Sequence, residues 1–181
     1  MSAAPELGVG VIYLPELVPL LESRPDLVTV LELEPQTLWR YLPDRAMPYV
    51  QDRGELERIA GLPQRKLVHG VGFPVGGSRL PDARHLEPLV ETIECLGSPW
   101  ASEHLGFNTF ADGLNTGFLL PPLQTRAGVG AAVAAVRHVA HELPVPFLIE
   151  TGVNYLQPQP ASSATAATNA PSDRHPGRGR R

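Results

Sequence analysis

Several side chains that can bind a metal ion stand at the ends of short apolar segments of this chain. His69 occurs in KLVHGVGFP, Glu103 and His104 in ASEHLGFN, Glu150 in PFLIETG and Glu34 in VTVLELEP. A polar group inside an apolar segment is costly unless it is hydrogen-bonded or bound to a metal. Imidazole and carboxylate groups together suit iron, zinc or manganese. The pattern therefore predicts a metal site, and the residue types alone do not choose among these metals.

Each of these residues also has a structural interpretation. His69 could be a core histidine bonded to a backbone carbonyl, although the glycines that follow it permit close approach of other groups. Glu103 and His104 could form a hydrogen-bonded surface pair, and Glu150 could cap a following helix. Glu34 shares one face of its segment with Glu32, as two solvated carboxylates would.

Other candidate groups are expected to be structural. Three histidines lie beside charged residues in helical segments and are predicted to be on the surface: His85, His138 and His141. Cys95, the single cysteine, falls near a helical apolar stripe and is predicted to be a small core residue. A lone cysteine also excludes an intramolecular disulfide and hence a disulfide-stabilised secreted scaffold.

The apolar segments are typical of buried strands, and amphipathic segments separate them. We predict strands at 8–13, 28–35, 66–74, 101–108 and 146–152. We predict helices after Pro15 and at 51–62, 82–97 and 128–143. This alternation predicts an α/β fold with a parallel sheet, in which functional groups gather at the carboxyl ends of the strands. Periodicity does not separate an open doubly wound sheet from a barrel.

Composition limits the possible classes of protein. The chain has 181 residues, enough for one domain but fewer than the roughly 250 of a complete (β/α)8 barrel. Its net charge of −4 argues against nucleic acid as a partner. The amino terminus lacks the features of a signal peptide, and no apolar run is long enough to span a membrane. We therefore expect a cytoplasmic protein.

The last 25 residues differ sharply from the rest. Residues 157–181 contain no Val, Ile, Leu, Met or aromatic residue, and the end is rich in arginine. Such a segment cannot bury enough apolar surface to offset the entropy of ordering it. We predict one domain over residues 1–156 and a disordered basic tail over 157–181.

Four motifs together resemble the multinuclear non-heme iron-dependent oxidases, known as domain of unknown function 692 and including the methanobactin-biosynthesis oxidase. They are HGVGFPVGG at 69–77, SEHLGF at 102–107, LLPP at 119–122 and IETGVNYL at 149–156. The segment LELEPQTLW at 31–39 is similar to the second strand of that family. The resemblance covers about residues 7–156.

The resemblance implies a fold and an activity. The fold is a (β/α)8 TIM barrel of the xylose-isomerase-like type, of which this chain would form about five βα units. The activity is oxidation, by two or three iron ions and dioxygen, of residues, often cysteines, in ribosomally synthesised peptides. A partner protein commonly presents the precursor peptide to such an oxidase.

The resemblance also implies roles for residues. His69, His104 and Glu150 match metal ligands of the family. Thr151 stands where the family usually has asparagine. We expect four further residues to line the pocket: Glu34, Glu103, Thr151 and Asn154.

The family continues through three more strands that carry further ligands, whereas the resemblance here ends at residue 156. The sequence thus predicts a truncated member with impaired activity, whose open sheet edges would favour self-association. Two alternatives stay open at this point. One is a divalent-metal isomerase or endonuclease of the same fold, and the other is a non-catalytic fragment.

Overall fold

The structure, a computed structural model, describes residues 6–110 and 114–152. In chain order the strands are β1 Gly10–Ile12, β2 Val30–Leu33, β3 Trp39–Tyr41, β4 Tyr49–Gln51, β5 Arg65–Gly70, β6 Ala101–His104, β7 Phe107–Thr109, β8 Asn115–Leu120 and β9 Phe147–Glu150. The helices are α1 Val18–Ser23, α2 Arg53–Gly61, α3 Ala83–Leu96 and α4 Arg126–Glu142, and short 3-10 turns cover Pro15–Leu17 and Pro35–Leu38.

Five strands form a central parallel sheet in the order β1-β2-β5-β6-β9. One α-helix lies between each pair of consecutive central strands along the chain. The predicted α/β fold with a parallel sheet is therefore confirmed. The strand order follows the chain order without the reversal of a doubly wound sheet, which is compatible with part of a TIM-like barrel. Closure into a barrel stays a prediction.

Two antiparallel hairpins follow central strands and were not predicted. β3 pairs with β4 after β2, and β7 pairs with β8 after β6. The expected strand over 101–108 is divided, because the chain bends at Leu105 and Gly106 between β6 and β7. Both hairpins lie after the carboxyl ends of central strands, where the candidate residues also stand.

Helix ends follow the capping rules. Asp82 accepts a hydrogen bond from the backbone N–H of Arg84 at 2.9 Å, and α3 ends at Gly97 with a φ of 60°. These ends confirm the expectations drawn from the sequence. Pro88 is accommodated inside a continuous α3 rather than ending it.

The core lies between the sheet and the helices packed on it. Its most buried members are Leu31, Leu33, Ile59, Val68, Leu89, Ile93 and Val139. Cys95 is exposed, so its assignment to the core was wrong. The buried face of α3 runs through Leu89, Ile93 and Leu96, and position 95 lies outside that arc.

None of the helices in the described ranges is both long and apolar enough to cross a membrane. The predicted tail over 157–181 and the pocket residue Asn154 lie outside the described residues.

Candidate metal centre

His69, His104 and Glu150 meet at the carboxyl end of the central sheet. His104 and Glu150 end the strands β6 and β9, His69 is the last residue but one of the adjacent β5, and the parallel register sets His104 opposite Glu150. One potential ligand atom from each residue lies within 4.8 Å of the other two. Because neighbouring parallel strands end at the same edge, three residues far apart in sequence converge without any loop to position them.

The distances suit a shared ion. Nε2 of His69 is 3.3 Å from Oε2 of Glu150, and Nε2 of His104 is 4.0 Å from the same oxygen. Metal bonds of about 2.0–2.2 Å to nitrogen and oxygen allow two ligand atoms to be at most about 4.4 Å apart. Both separations are within that limit, so the three side chains can fit one ion with small adjustments.

The three side chains differ in burial. The side chain of His69 is 6% exposed, that of His104 24% and that of Glu150 56%. The imidazole rings meet edge to face, with centroids 4.6 Å apart. The centre is therefore walled by the histidines and open to solvent on the side of Glu150.

The second nitrogen of each imidazole has a different partner. Nδ1 of His69 is 2.8 Å from Oγ of Ser102, its register partner on β6. Nδ1 of His104 is 3.2 Å from Oε1 of Glu103. In both cases Nδ1 is engaged by the protein and Nε2 is directed at the centre, as in many protein metal sites.

Glu103 is fully buried and its two oxygens both accept hydrogen bonds. Oε2 accepts from the backbone N–H of Phe73 at 3.2 Å, and Oε1 accepts from that of His104 at 2.8 Å. Its side-chain hydrogen bond is the largest cause of the raised pKa of His104, which burial opposes and the charges of Glu103 and Glu150 support. Glu103 therefore favours the protonated, positively charged form of the His104 imidazole.

The predicted pocket residues Glu34 and Thr151 are not members of the three-residue cluster. Glu34 follows β2 and is half-buried, and its backbone carbonyl accepts hydrogen bonds from Thr37. Thr151 follows Glu150 and is exposed. Neither side chain joins the group of atoms within 4.8 Å.

A cleft of about 630 Å³ adjoins the centre and was not found from the sequence. It is lined by aromatic and polar side chains, among them Tyr41, Tyr49, Phe73, Arg79, His85 and Asn108. The ring of Phe73 lies against Gly70, the residue after His69: a Cβ placed on that glycine would be 3.1 Å from the ring. Phe73 thus connects the cleft to the strand end that carries His69.

His85 lies in this cleft, so its assignment to the surface was wrong. Its ring stacks on Tyr49 with centroids 4.0 Å apart, and burial lowers its pKa. Its Nδ1 atom is buried without a hydrogen-bond partner among the described residues. The alternation of aromatic residues in the segment of Trp39 and Tyr41 was the available signal for the hairpin that covers it.

Two comparisons with known proteins show the family of the chain. The family model of the RiPP precursor modification enzymes MbnB/TglH/ChrH matches residues 21–166, a range that includes all three side chains of the centre. A UPF0276 protein of Streptomyces avermitilis is 30% identical over 150 residues, which are 80% of this chain and 29% of that protein. The chain thus spans less than a third of the length of this curated relative.

Proposed function

Because the chain belongs to the family of RiPP precursor modification enzymes MbnB/TglH/ChrH, we propose that it is an iron-dependent oxidase of peptides. In this proposal His69, His104 and Glu150 bind iron, and dioxygen oxidises a residue, often cysteine, of a ribosomally synthesised precursor peptide. The bound iron would supply the redox chemistry that activates dioxygen. Every other step is the work of side chains that bind, orient or shield.

The observation that carries the proposal is the convergence of two imidazoles and one carboxylate at neighbouring strand ends. Two histidines and one carboxylate around a partly open site are typical of non-heme iron proteins that use oxygen. Within residues 6–110 and 114–152 this cluster supplies ligands for one ion. The two or three ions expected from the family would need ligands beyond these.

The burial of the three side chains supports a division of work. His69 is shielded from water and would hold the ion on the protein side. Glu150 is more than half exposed, so the open coordination positions would lie near it and admit dioxygen and the peptide. We propose that Glu34 and Thr151 border this opening.

The adjoining cleft is the proposed site for the peptide segment next to the modified residue. Its rings offer apolar contact, and Arg79 has no ion pair among the described residues, so it is available to an acidic side chain or a carboxylate. Phe73 lines the cleft and lies against Gly70, the residue after His69, so a peptide bound in the cleft would pass close to the proposed ligands. The same proposal includes a partner protein that presents the peptide, a cytoplasmic location, and a domain boundary at residue 156.

The test is to load the full chain with Fe²⁺ without oxygen and then admit air together with a cysteine-containing precursor peptide. We expect dioxygen uptake and a change in peptide mass that the variant Glu150→Gln largely loses. The variant His141→Ala alters an exposed histidine of α4 and should behave as wild type. The same assay separates the alternatives. Catalytic activity that needs Mg²⁺ or Mn²⁺ but no oxygen would indicate an isomerase or endonuclease. Failure of the chain to take up any metal would indicate a non-catalytic chain.

A further inference from the structure

Glu103 is a buried carboxylate that binds a proposed metal ligand without being placed to bind the metal. It is fully buried, and its partners are His104 and the backbone N–H of Phe73. We propose that Glu103 is a positioning residue that holds His104 in the tautomer with hydrogen on Nδ1, so that the lone pair of Nε2 points at the centre. This inference rests on the proposed function for the role of His104 as a ligand, but the tautomer is a property of the protein alone.

The hydrogen-bond pattern decides which nitrogen carries the hydrogen. Both oxygens of Glu103 accept from backbone N–H groups, so the carboxylate acts as an acceptor toward whatever else it contacts. A neutral imidazole has one donor nitrogen and one acceptor nitrogen. Since Nδ1 of His104 faces Oε1, it must be the donor, and Nε2 is then the acceptor that a metal ion needs.

A second carboxylate competes for the same imidazole. Oε2 of Glu150 is 4.0 Å from Nε2 of His104 and would favour a hydrogen on that nitrogen instead. Glu103 is closer, at 3.2 Å, and is fully buried, whereas the side chain of Glu150 is 56% exposed. Because water screens an exposed carboxylate and not a buried one, Glu103 wins this competition.

The backbone at Gly70 and Phe73 lies directly against the carboxylate of Glu103. A Cβ added to Gly70 would lie 2.7 Å from Oε2 of Glu103, so the carboxylate occupies the space that a larger residue would fill. The backbone N–H of Phe73, in the loop after β5, donates a hydrogen bond to the same oxygen. The glycine after His69 therefore makes room for the group that orients His104.

The partner of Nδ1 of His69 does not impose a tautomer, and Oε2 of Glu150, 3.3 Å from Nε2, favours a hydrogen on that other nitrogen. The hydroxyl of Ser102 can donate a hydrogen bond to Nδ1 or accept one from it. The support of His69 therefore does not hold its hydrogen on Nδ1, whereas the support of His104 does. The inference thus applies to one histidine of the pair and predicts a difference between them.

The experiment observes the tautomers directly in the metal-free full chain by nitrogen-15 NMR of the histidine side chains, at a pH where the imidazoles are neutral. His104→Ala identifies the signals. We expect wild-type His104 to carry hydrogen on Nδ1, and Glu103→Gln and Glu103→Leu to shift the population toward Nε2–H. Glu32→Gln is the control. Glu32 lies on β2, which pairs with β5, and makes no hydrogen bond to either histidine, so this variant should leave the tautomer unchanged.

A titration with Co²⁺ measures the consequence for binding. Loss of an outer partner of a histidine ligand commonly weakens metal binding 10–100-fold, and we expect a loss in that range for Glu103→Gln but not for Glu32→Gln. Circular dichroism of each variant confirms that it is folded, and Glu103→Gln replaces Glu103→Leu if the latter is not. The inference is overturned if His104 in the wild type carries hydrogen on Nε2, or if Glu103→Gln changes neither tautomer nor affinity. Failure of the wild type to take up Co²⁺ would instead overturn the proposed function and leave the tautomer measurement to decide the inference.

Discussion

At the scale of single residues, the two histidines of the centre offer the same ligand group but have different hydrogen-bond partners. His69 and His104 both direct Nε2 at Glu150, but one is held by a hydroxyl and the other by a buried carboxylate. The support of His104 depends in turn on Gly70, which has no side chain to displace Glu103. Small changes beside the ligands should therefore matter as much as changes at the ligands.

Gly70→Ala tests the crowding around Glu103. The added methyl group would be 2.7 Å from Oε2 of Glu103 and 3.1 Å from the ring of Phe73, so one of them must move. Overpacking of this kind typically costs about 1–3 kcal/mol. We expect the free energy of unfolding in urea to fall by that amount. Gly61→Ala, in helix α2 where no atom lies within 4 Å, is the control and should be neutral or stabilising. Equal stability of the two variants would contradict the crowding.

Much of the site could be predicted at this scale, and the reason is physical. His69, His104 and Glu150 each end an apolar segment, and parallel strands bring such ends together whatever lies between them. The hydrogen-bonded pair of Glu103 and His104 was one of the open interpretations, but the burial of Glu103 and its contact with Phe73 could not be predicted, because they depend on how closely the backbone at Gly70 approaches β6. That distance follows from packing between strands, and no local pattern encodes it.

At the scale of elements, helix α3 joins the cleft to the core. It begins at Asp82 beside the cleft, and its buried Thr92 accepts a hydrogen bond from Nε2 of Gln51 in β4 at 2.7 Å. The ends of α3 were predictable because capping is a local interaction. The hairpin β3–β4 was harder to predict: alternating aromatic residues are its one local signal, the segment between its strands is rich in proline and charge, and β4 is stabilised by contacts with α3.

The hydrogen bond between Gln51 and Thr92 should help to hold the hairpin β3–β4 against helix α3. Thr92→Val keeps the shape of the side chain but removes the acceptor, which leaves the amide of Gln51 unsatisfied. A loss of about 1–3 kcal/mol is expected for a buried group without its partner. Unfolding of the two single variants, Thr92→Val and Gln51→Leu, and of the double variant gives the coupling energy. Strict additivity of the two changes would show that the hydrogen bond does not stabilise the fold.

The cap of α3 should make stability depend on pH. Hydrogen bonds from Arg84 are the main reason why the pKa of Asp82 is lowered to about 2, below the value of about 3.9 in an unfolded chain. A lowered pKa contributes stability that is present above about pH 4 and is lost as the pH falls toward 2. The contribution should be modest because the side chain is 37% exposed.

Asp82→Asn is the test, because asparagine also caps helices but does not ionise. We expect its urea midpoint to lie below that of the wild type at pH 5 and the gap to narrow below pH 4. Asp26→Asn, at an exposed ion pair outside any helix, controls for loss of charge. A gap that stays constant from pH 5 to pH 2.5 would refute the linkage.

At the scale of the whole molecule, the two edges of the central sheet are its least covered parts. All three residues of β1 and three of the four in β9 are exposed, and the described residues place no further strand beside either one. Apolar edge strands pair readily with other chains. The expectation of self-association is therefore retained as a prediction.

Lysine substitutions at the edges test this prediction. Ile12→Lys in β1 and Leu148→Lys in β9 place charges on exposed apolar positions and should shift the chain from oligomer to monomer in size-exclusion chromatography with light scattering. Leu20→Lys on helix α1 makes the same change at a similarly exposed position away from the edges. A wild-type chain that is monomeric at every concentration tested would rule out association through the edges.

The central claim is that His69, His104 and Glu150 form an iron site, and the iron content of the purified full chain tests it most directly. The protein is incubated with Fe²⁺ without oxygen, passed through a desalting column and measured by elemental analysis. We predict that the wild type and the control variant His138→Ala/His141→Ala, altered on helix α4, retain iron and that His69→Ala/His104→Ala does not. Equal iron content in the wild type and the His69→Ala/His104→Ala variant would contradict the account.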